Sequence, residues 1–335
     1  MMAENTIPWE PPYIRLYETG ELEKRVERLE KRLENCDLCP RRCGAERLKN
    51  DFGSCNAGKL VAVASVCAHH GEEPVLSGTR GSGTIFFGNC NLRCVYCQNH
   101  QISQDPERQR SNQVSTSWLA NRMLHIQNDL ECHNINLVSP SHYVPQIMRA
   151  LLEAIPNGLN LPLVYNTNAY DDLDTLTELD GVISIYLPDL KYADSNLAAR
   201  LSDVPHYVPT ARAAIKEMYR QVGELELDKD DIAVSGLIIR HLILPNDLAG
   251  SEATIKWIAS ELSPSIPISL MAQYTPRHLA KEVPLLARSI NATEYRRVIN
   301  LLEVLGMENG WLQEASSREY YLPDFEREGH PFERG

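Results

Sequence analysis

From residue 59 onward, short unbroken apolar runs alternate with longer stretches whose apolar positions recur at helical spacing. "KLVAVASVCAH" (59–69) and "GTIFFGNC" (83–90) read as strands, followed by "NINLVS" (134–139), "PLVYNTN" (162–168), "GVISIYLPDLKY" (181–192), "SGLIIRHLILPN" (235–246) and "IPISLMAQYTP" (266–276). Between them lie amphipathic stretches such as "YVPQIMRALLEAI", "DDLDTLTEL", "SNLAARLS", "PTARAAIKEMYRQV", "SEATIKWIASELS" and "TEYRRVINLLEVLG". Continuous apolar strands separated by such helices predict a parallel sheet covered by helices. The class is therefore α/β. Six units from residue 83 to about 305 predict an incomplete (β/α)6 barrel, with a doubly wound open sheet as the alternative. Polar residues cluster where the runs end: Cys90, Ser139, Asn166 to Asn168, Asp189 to Lys191, Arg240 with His241, and Gln273 with Tyr274. Carboxyl ends of parallel strands are where such folds place an active site.

The pattern upstream is different. "ELEKRVERLEKRLEN" (21–35) sets Leu22, Val26, Leu29 and Leu33 at helical spacing among charges, which predicts a short amphipathic helix lying on the body of the protein. Residues 36–60 are poor in apolar side chains and rich in Arg, Gly and Asn, so a metal is needed to fold them. The chain divides into an N-terminal arm and helix (1–35), a Cys-rich segment (36–78), the α/β body (79–310) and an extended tail (311–335). Neither internal repeats nor low-complexity segments interrupt it.

At 335 residues, with 43% hydrophobic and 23% charged residues, the composition is that of a globular protein. No run approaches the ~20 apolar residues of a membrane span, and the N-terminus lacks a basic-then-apolar signal pattern. A cytoplasmic location and no membrane partner follow as expectations. A net charge of −12 argues against nucleic acid as a partner, because phosphate contacts need a basic surface. Nine cysteines in such a chain call for metal chemistry more than disulfides. Cys36, Cys39, Cys43 and Cys55 form one group and Cys90, Cys94 and Cys97 another, while Cys67 and Cys132 stand apart as core thiols.

The second group has the spacing C-x3-C-x2-C. A structural metal site closes its coordination shell, whereas a catalytic one leaves a position open. Three thiolates on a four-iron cluster leave one iron for a substrate or cofactor. The bland alternative is a zinc knuckle completed by Cys67 or Cys132. The first group, C-x2-C-x3-C-x11-C, offers four soft ligands that suit structural zinc or a second 4Fe-4S cluster equally. His69, His70, Glu72 and Glu73 either line the site or form a surface turn.

C-x3-C-x2-C at the end of a first barrel strand resembles the radical S-adenosylmethionine (SAM) superfamily. Together with "NLVSPSHYVPQI", "VYNTNAY", "LPDLKY", "IRHLILPN" and "SLMAQYTP", it is similar to the homologues of pyruvate formate-lyase-activating enzyme that carry a Cys-rich N-terminal segment. The likeness covers roughly residues 36–310. It implies that Cys90, Cys94 and Cys97 hold a 4Fe-4S cluster whose open iron binds SAM, with Tyr96 against the adenine. It places SAM contacts on Asn166, Asn168, Asp189, Lys191 and Arg240, the last reaching the methionine carboxylate, and gives Lys191 and Arg240 catalytic roles. Where the superfamily holds the SAM amino group with Gly-Gly-Glu-Pro, this chain reads Ser139-Pro140-Ser141-His142, so Ser139 or His142 takes over that contact. "GEEP" (71–74) precedes the first Cys and is not that strand end. The relatives' Asp-Thr-Asn-Gly is Asn166-Thr167-Asn168-Ala169 here, and the lost carboxylate argues against a cation site.

The activity implied is reductive cleavage of SAM to a 5′-deoxyadenosyl radical that takes hydrogen from a protein or peptide, as glycyl-radical-activating enzymes do. A flavodoxin or ferredoxin would supply the electron. Radical modification of a small molecule or nucleoside is the second enzymatic reading, and a non-catalytic iron–sulfur redox sensor the third.

Overall fold

The computed structural model describes residues 9–313, 323–327 and 330–332. The start of the N-terminal arm and much of the tail therefore lie outside the described residues. Strands are β1 (Val61–His69), β2 (Ser82–Phe87), β3 (Gln113–Val114), β4 (Ile135–Val138), β5 (Leu163–Thr167), β6 (Ile185–Pro188), β7 (Glu226–Leu227), β8 (Ala233–Leu237), β9 (Ile239–Leu242), β10 (Ile268–Met271) and β11 (Gly310–Leu312). All residues of β2, β4, β5, β6 and β10 are buried, which is why their sequences read as continuous apolar runs and not as alternation.

β2, β4, β5, β6 and β8 pair in parallel in that order, and β9, β10 and β11 do the same. The two sets are stitched where Asp189 faces Arg240 in a parallel bridge, with Leu190 N donating to the Arg240 carbonyl at 2.9 Å. The order of the parallel strands thus follows chain order without reversal. A doubly wound sheet reverses at its switch point, so that alternative is excluded. β1 lies beside β2 antiparallel, bulged between Val63 and Ser65, and carries the short β3 on its outer side.

The helix Glu21–Lys31 buries Leu22, Val26 and Leu29 completely and packs on the helix Val144–Ala154. Arg149 pairs with Glu30 at 2.6 Å, and Arg28 with Glu178 at 2.8 Å, fixing its direction. A single turn of helix, Pro74–Ser77, inserts Leu76 among Val164, Ile185, Leu187, Ala233 and Ile238 and so plugs one end of the sheet's interior. None of the described helices is long and apolar enough to cross a membrane.

Two features depart from the sequence reading. The first residues of the supposed tail are β11, an edge strand on β10; three residues between polar flanks give no strand signal. Farther along, Phe325 meets Phe86 edge-on at 5.1 Å and Phe332 stacks on His69 at 4.0 Å, so these tail residues dock on β1 and β2.

Candidate functional site

The ladder hydrogen bonds run to the very ends of the strands: Ser139 N to Asn166 O (2.8 Å), Asp189 N to Thr167 O (2.8 Å) and Ile243 N to Met271 O (3.1 Å). This brings residues from far-apart segments onto one rim. They surround a cavity of about 890 Å3 lined by Cys90, Cys94, Tyr96, Cys97, Ser139, Asn166, Asn168, Asp189, Lys191 and Arg240, among others. Tyr207 ties two strand ends together, its hydroxyl lying 2.8 Å from the Asn168 carbonyl and 2.9 Å from the Asp189 carbonyl while accepting from Lys191 N at 3.0 Å.

Each of the three sulfurs has a polar neighbour. Cys90 Sγ accepts from Leu92 N (3.4 Å) and Asn168 Nδ2 (3.6 Å), Ser202 Oγ donates to Cys94 Sγ (3.0 Å), and Cys97 Sγ lies 3.2 Å from Ser103 Oγ. Hydrogen bonds to sulfur tune a metal-bound thiolate. Burial pushes the Cys94 thiol up to about 12, against the pull of the Lys191 ammonium, so a metal must displace its proton. Lys191 Nζ sits 2.7 Å from Asp189 Oδ2; burial opposes its charge, but the Asp189 carboxylate outweighs that and keeps it ionised. The other carboxylate oxygen, Asp189 Oδ1, is buried without a partner. Tyr96 stands on the wall with its ring against Tyr192 and Tyr274 and its hydroxyl bonded to Tyr192 at 2.7 Å. Three donor-supported thiols on an open cavity fit a cluster with a free iron. Cys67 packs with Phe86 and Ile102, and neither it nor Cys132 lines the cavity.

One residue is placed otherwise than the sequence predicted. His142 does not line the cavity; it is 2% exposed, with Nε2 3.0 Å from the Gly88 carbonyl. A carbonyl only accepts, so Nε2 carries the hydrogen and Nδ1 is bare and unpartnered. Burial drives its pKa down to about 3. Ser139 does reach the cavity, with φ 58° in the left-handed region where the superfamily's motif has glycine. Ala169, in place of another motif glycine, has φ 65°. Arg240 reaches the cavity and also holds the protein's own carboxylates: Nε meets Glu73 Oε1 at 2.7 Å, Nη2 meets Glu73 Oε2 at 2.8 Å, and Nη2 also meets Glu72. Glu72 and Glu73 come from "GEEP", which therefore lines the site instead of forming a surface turn. Ser202 and Ser103 have no motif to announce them; Ser202 is 108 residues from the cysteine it serves.

The four-cysteine segment lies behind the triad. Burial and the neighbouring Cys55, Cys36 and Cys43 push the Cys39 thiol up to about 12, so the four side chains lie near one another. Gly53 holds φ 54° there, and a Cβ on it would lie 2.7 Å from Cys43 Sγ. Arg47, 1% exposed, donates to the Gly58 and His142 carbonyls and lies 3.9 Å from Cys36 Sγ; none of these is a carboxylate. A buried guanidinium beside thiols fits a site that is anionic once its cysteines are ligands. Among the described residues, no group of three or more His, Cys, Asp or Glu side chains is gathered to hold a single metal ion.

No family model matches the chain. Among solved structures it is similar to Streptococcus suis SuiB bound to precursor peptide SuiA, with TM-score 0.45 and 14% identity over 73% of this chain. It spans about half of SuiB, 51% of that chain. It is also similar to methylornithine synthase (PylB), with TM-score 0.42 and 11% identity, over 88% of this chain and 74% of that one. In sequence it is 30% identical over 287 residues to the uncharacterized protein MJ0674 of Methanocaldococcus jannaschii, covering 84% of this chain and 78% of that one, and it belongs to the same family.

Proposed function

We propose that the protein is a radical SAM enzyme whose body is an incomplete β/α barrel and whose substrate is a protein or peptide. The observation that carries this reading is the triad itself: three thiols in C-x3-C-x2-C at the end of β2, each with a polar neighbour, open onto the cavity that the strand ends share. Cys90, Cys94 and Cys97 would hold a 4Fe-4S cluster. With SAM, a cluster held there would supply the one-electron chemistry by which a hydrogen atom could be abstracted. Lys191 and Asp189 then form a fixed charge pair beside the cofactor, Tyr96 gives it an aromatic wall, and Asn166, Asn168 and Ser139 offer neutral polar contacts. A volume of about 890 Å3 is near the top of the ~300–1,000 Å3 range of small-molecule pockets, leaving room beyond a cofactor for part of a larger substrate. A flavodoxin or ferredoxin is the electron donor in this reading, and Cys36, Cys39, Cys43 and Cys55 bind a second cluster or zinc.

The test is anaerobic reconstitution, reduction with dithionite and mass analysis of SAM products. Wild type should form 5′-deoxyadenosine and Cys94→Ala should form none; equal turnover in the two would sink the assignment. Iron near ~8 per chain, falling to ~4 in a Cys90/Cys94/Cys97 triple variant, would mean two 4Fe-4S clusters. Zinc persisting in that variant without iron would make residues 36–55 a structural knot.

A further inference from the structure

On the side of the cavity formed by β1, β9 and β10, two carboxyl groups face one guanidinium. The turn after β1 brings Glu72 and Glu73 inward, their side chains only 7% and 4% exposed, to face Arg240. Glu73 takes the guanidinium fork with both oxygens and also accepts from Ser269 on β10, so it is satisfied and held in its ionised form. Glu72 shares the same guanidinium through Oε2 and lines the cavity, and burial raises its pKa against the pull of Arg240. The neighbouring Asp189–Lys191 pair is balanced and gives it no second cation. A turn that only needed pinning to β9 would be held by Glu73 alone. Independently, Ser77 lines the same cavity at 4% exposure, and its hydroxyl has no hydrogen-bond partner. Its backbone N donates to the Glu73 carbonyl at 3.0 Å, which fixes the hydroxyl one turn along from the carboxylates.

A buried carboxylate in excess and a buried unpartnered hydroxyl are both costly unless a ligand completes them. Resting on the reading of this cavity as an active site, we propose that it selects substrates presenting an alkylammonium group, with Glu72 as counter-ion and Ser77 as an accepting hydroxyl. An ammonium fits better than a guanidinium. A guanidinium asks for a two-oxygen fork, and the Glu73 fork is occupied by Arg240, whereas three ammonium hydrogens can be shared between one carboxylate oxygen and a hydroxyl.

The test is calorimetric titration of the full chain with n-butylamine near pH 7.5, in the absence of SAM, with n-butanol and sodium butyrate as neutral and anionic analogues. The amine should bind one site per chain, about tenfold or more tighter than either analogue. Glu72→Gln should weaken it by about tenfold, Ser77→Ala by a few-fold, and the surface variant Glu261→Gln, with the same change in net charge, should leave it unaltered. Alcohol or butyrate binding as tightly as the amine would overturn the proposal, as would undiminished amine affinity in a folded Glu72→Gln protein. Should that variant not fold, undiminished affinity in Ser77→Ala would overturn it instead. Because SAM takes no part, a protein that cleaves SAM but ignores the amine refutes this inference alone. A protein that binds the amine but does not cleave SAM refutes only the radical reading.

Discussion

An arginine can hold a ligand only with donors that nothing else occupies. The sequence places Arg240 at a strand end and makes it a candidate carboxylate anchor, but the carboxylates it meets are the protein's own. Its removal should therefore register in stability before it registers in binding. Arg240→Ala strands Glu72 and Glu73 together without a counter-charge, and breaking a buried pair of this kind costs ~3–5 kcal/mol. Urea denaturation would show it; adding Glu72→Gln and Glu73→Gln to the alanine variant should recover part of the loss. A cost below ~1 kcal/mol would mean that the three groups do not depend on one another. His142 gives a second test at this scale. Burial holds its folded pKa at about 3, below the ~6.5 of an unfolded histidine. Between those values the unfolded chain binds a proton that the folded one refuses. No stability is lost above pH ~6.5; below it the fold loses ~1.4 kcal/mol per pH unit from this group, levelling off under pH ~3. Comparing urea midpoints at pH 7 and 5.5, His142→Gln should show ~1.2 kcal/mol less acid sensitivity than wild type. Equal sensitivity would mean that the imidazole is reached by protons in the folded state.

At the scale of elements, what could be read in advance depended on how many faces an element buries. β4, β5, β6 and β10 are covered on both faces, so their unbroken apolar runs were unmistakable in the sequence. The helix Thr116–Asn128 was not legible: Trp118 and Asn121 stand beside Leu119, Ala120, Met123 and Ile126, and the apolar stripe is blurred. The triad was legible because a cluster needs closely spaced thiols on one loop. Its hydrogen-bonding partners Ser103 and Ser202, and the pairing of "GEEP" with Arg240, were not, because they depend on contacts made only after the chain folds. Ser139 and Ala169 show the reverse case. Where relatives carry glycine, Ser139 and Ala169 keep the left-handed backbone at φ 58° and 65°. The helix Glu21–Lys31 was legible from its spacing, and its role can be measured. Leu29 is fully buried where this helix meets the rest of the chain, so Leu29→Ala should cost ~2–5 kcal/mol, as core truncations do. A loss under ~1 kcal/mol would show that its ion pairs, not its apolar stripe, hold it in place.

For the whole molecule, the telling relation is between the two cysteine groups. The loop that carries the triad is braced from behind by the four-cysteine segment. Arg41 donates to the Asn91 carbonyl, Arg93 bridges the carbonyls of Ser54 and Cys90, and Asn89 Nδ2 donates to Asn56 O at 3.2 Å. Arg47 reaches past its own segment to the His142 carbonyl at 2.7 Å. These contacts are hydrogen bonds from charged or amide groups to backbone carbonyls, and the segment's buried apolar side chains are few and small, chiefly Leu38, Ala45 and Ala57. Such a segment keeps its shape only while its cysteines are tied together. Its bracing of the triad loop should then depend on metal. Stripping the metal-loaded protein with a chelator and following amide hydrogen exchange by mass spectrometry would test this. Residues 36–58 and 89–97 should lose protection together, while β4, β5 and β6 keep theirs, because local opening follows the contacts that are lost. The same joint loss should appear in a Cys36/Cys39/Cys43/Cys55 quadruple alanine variant, even though Cys90, Cys94 and Cys97 are intact. If the triad loop stayed protected in that variant, the two sites would be neighbours without being coupled. If residues 36–58 stayed protected after stripping, the arginine contacts alone would be enough to hold the segment against the sheet.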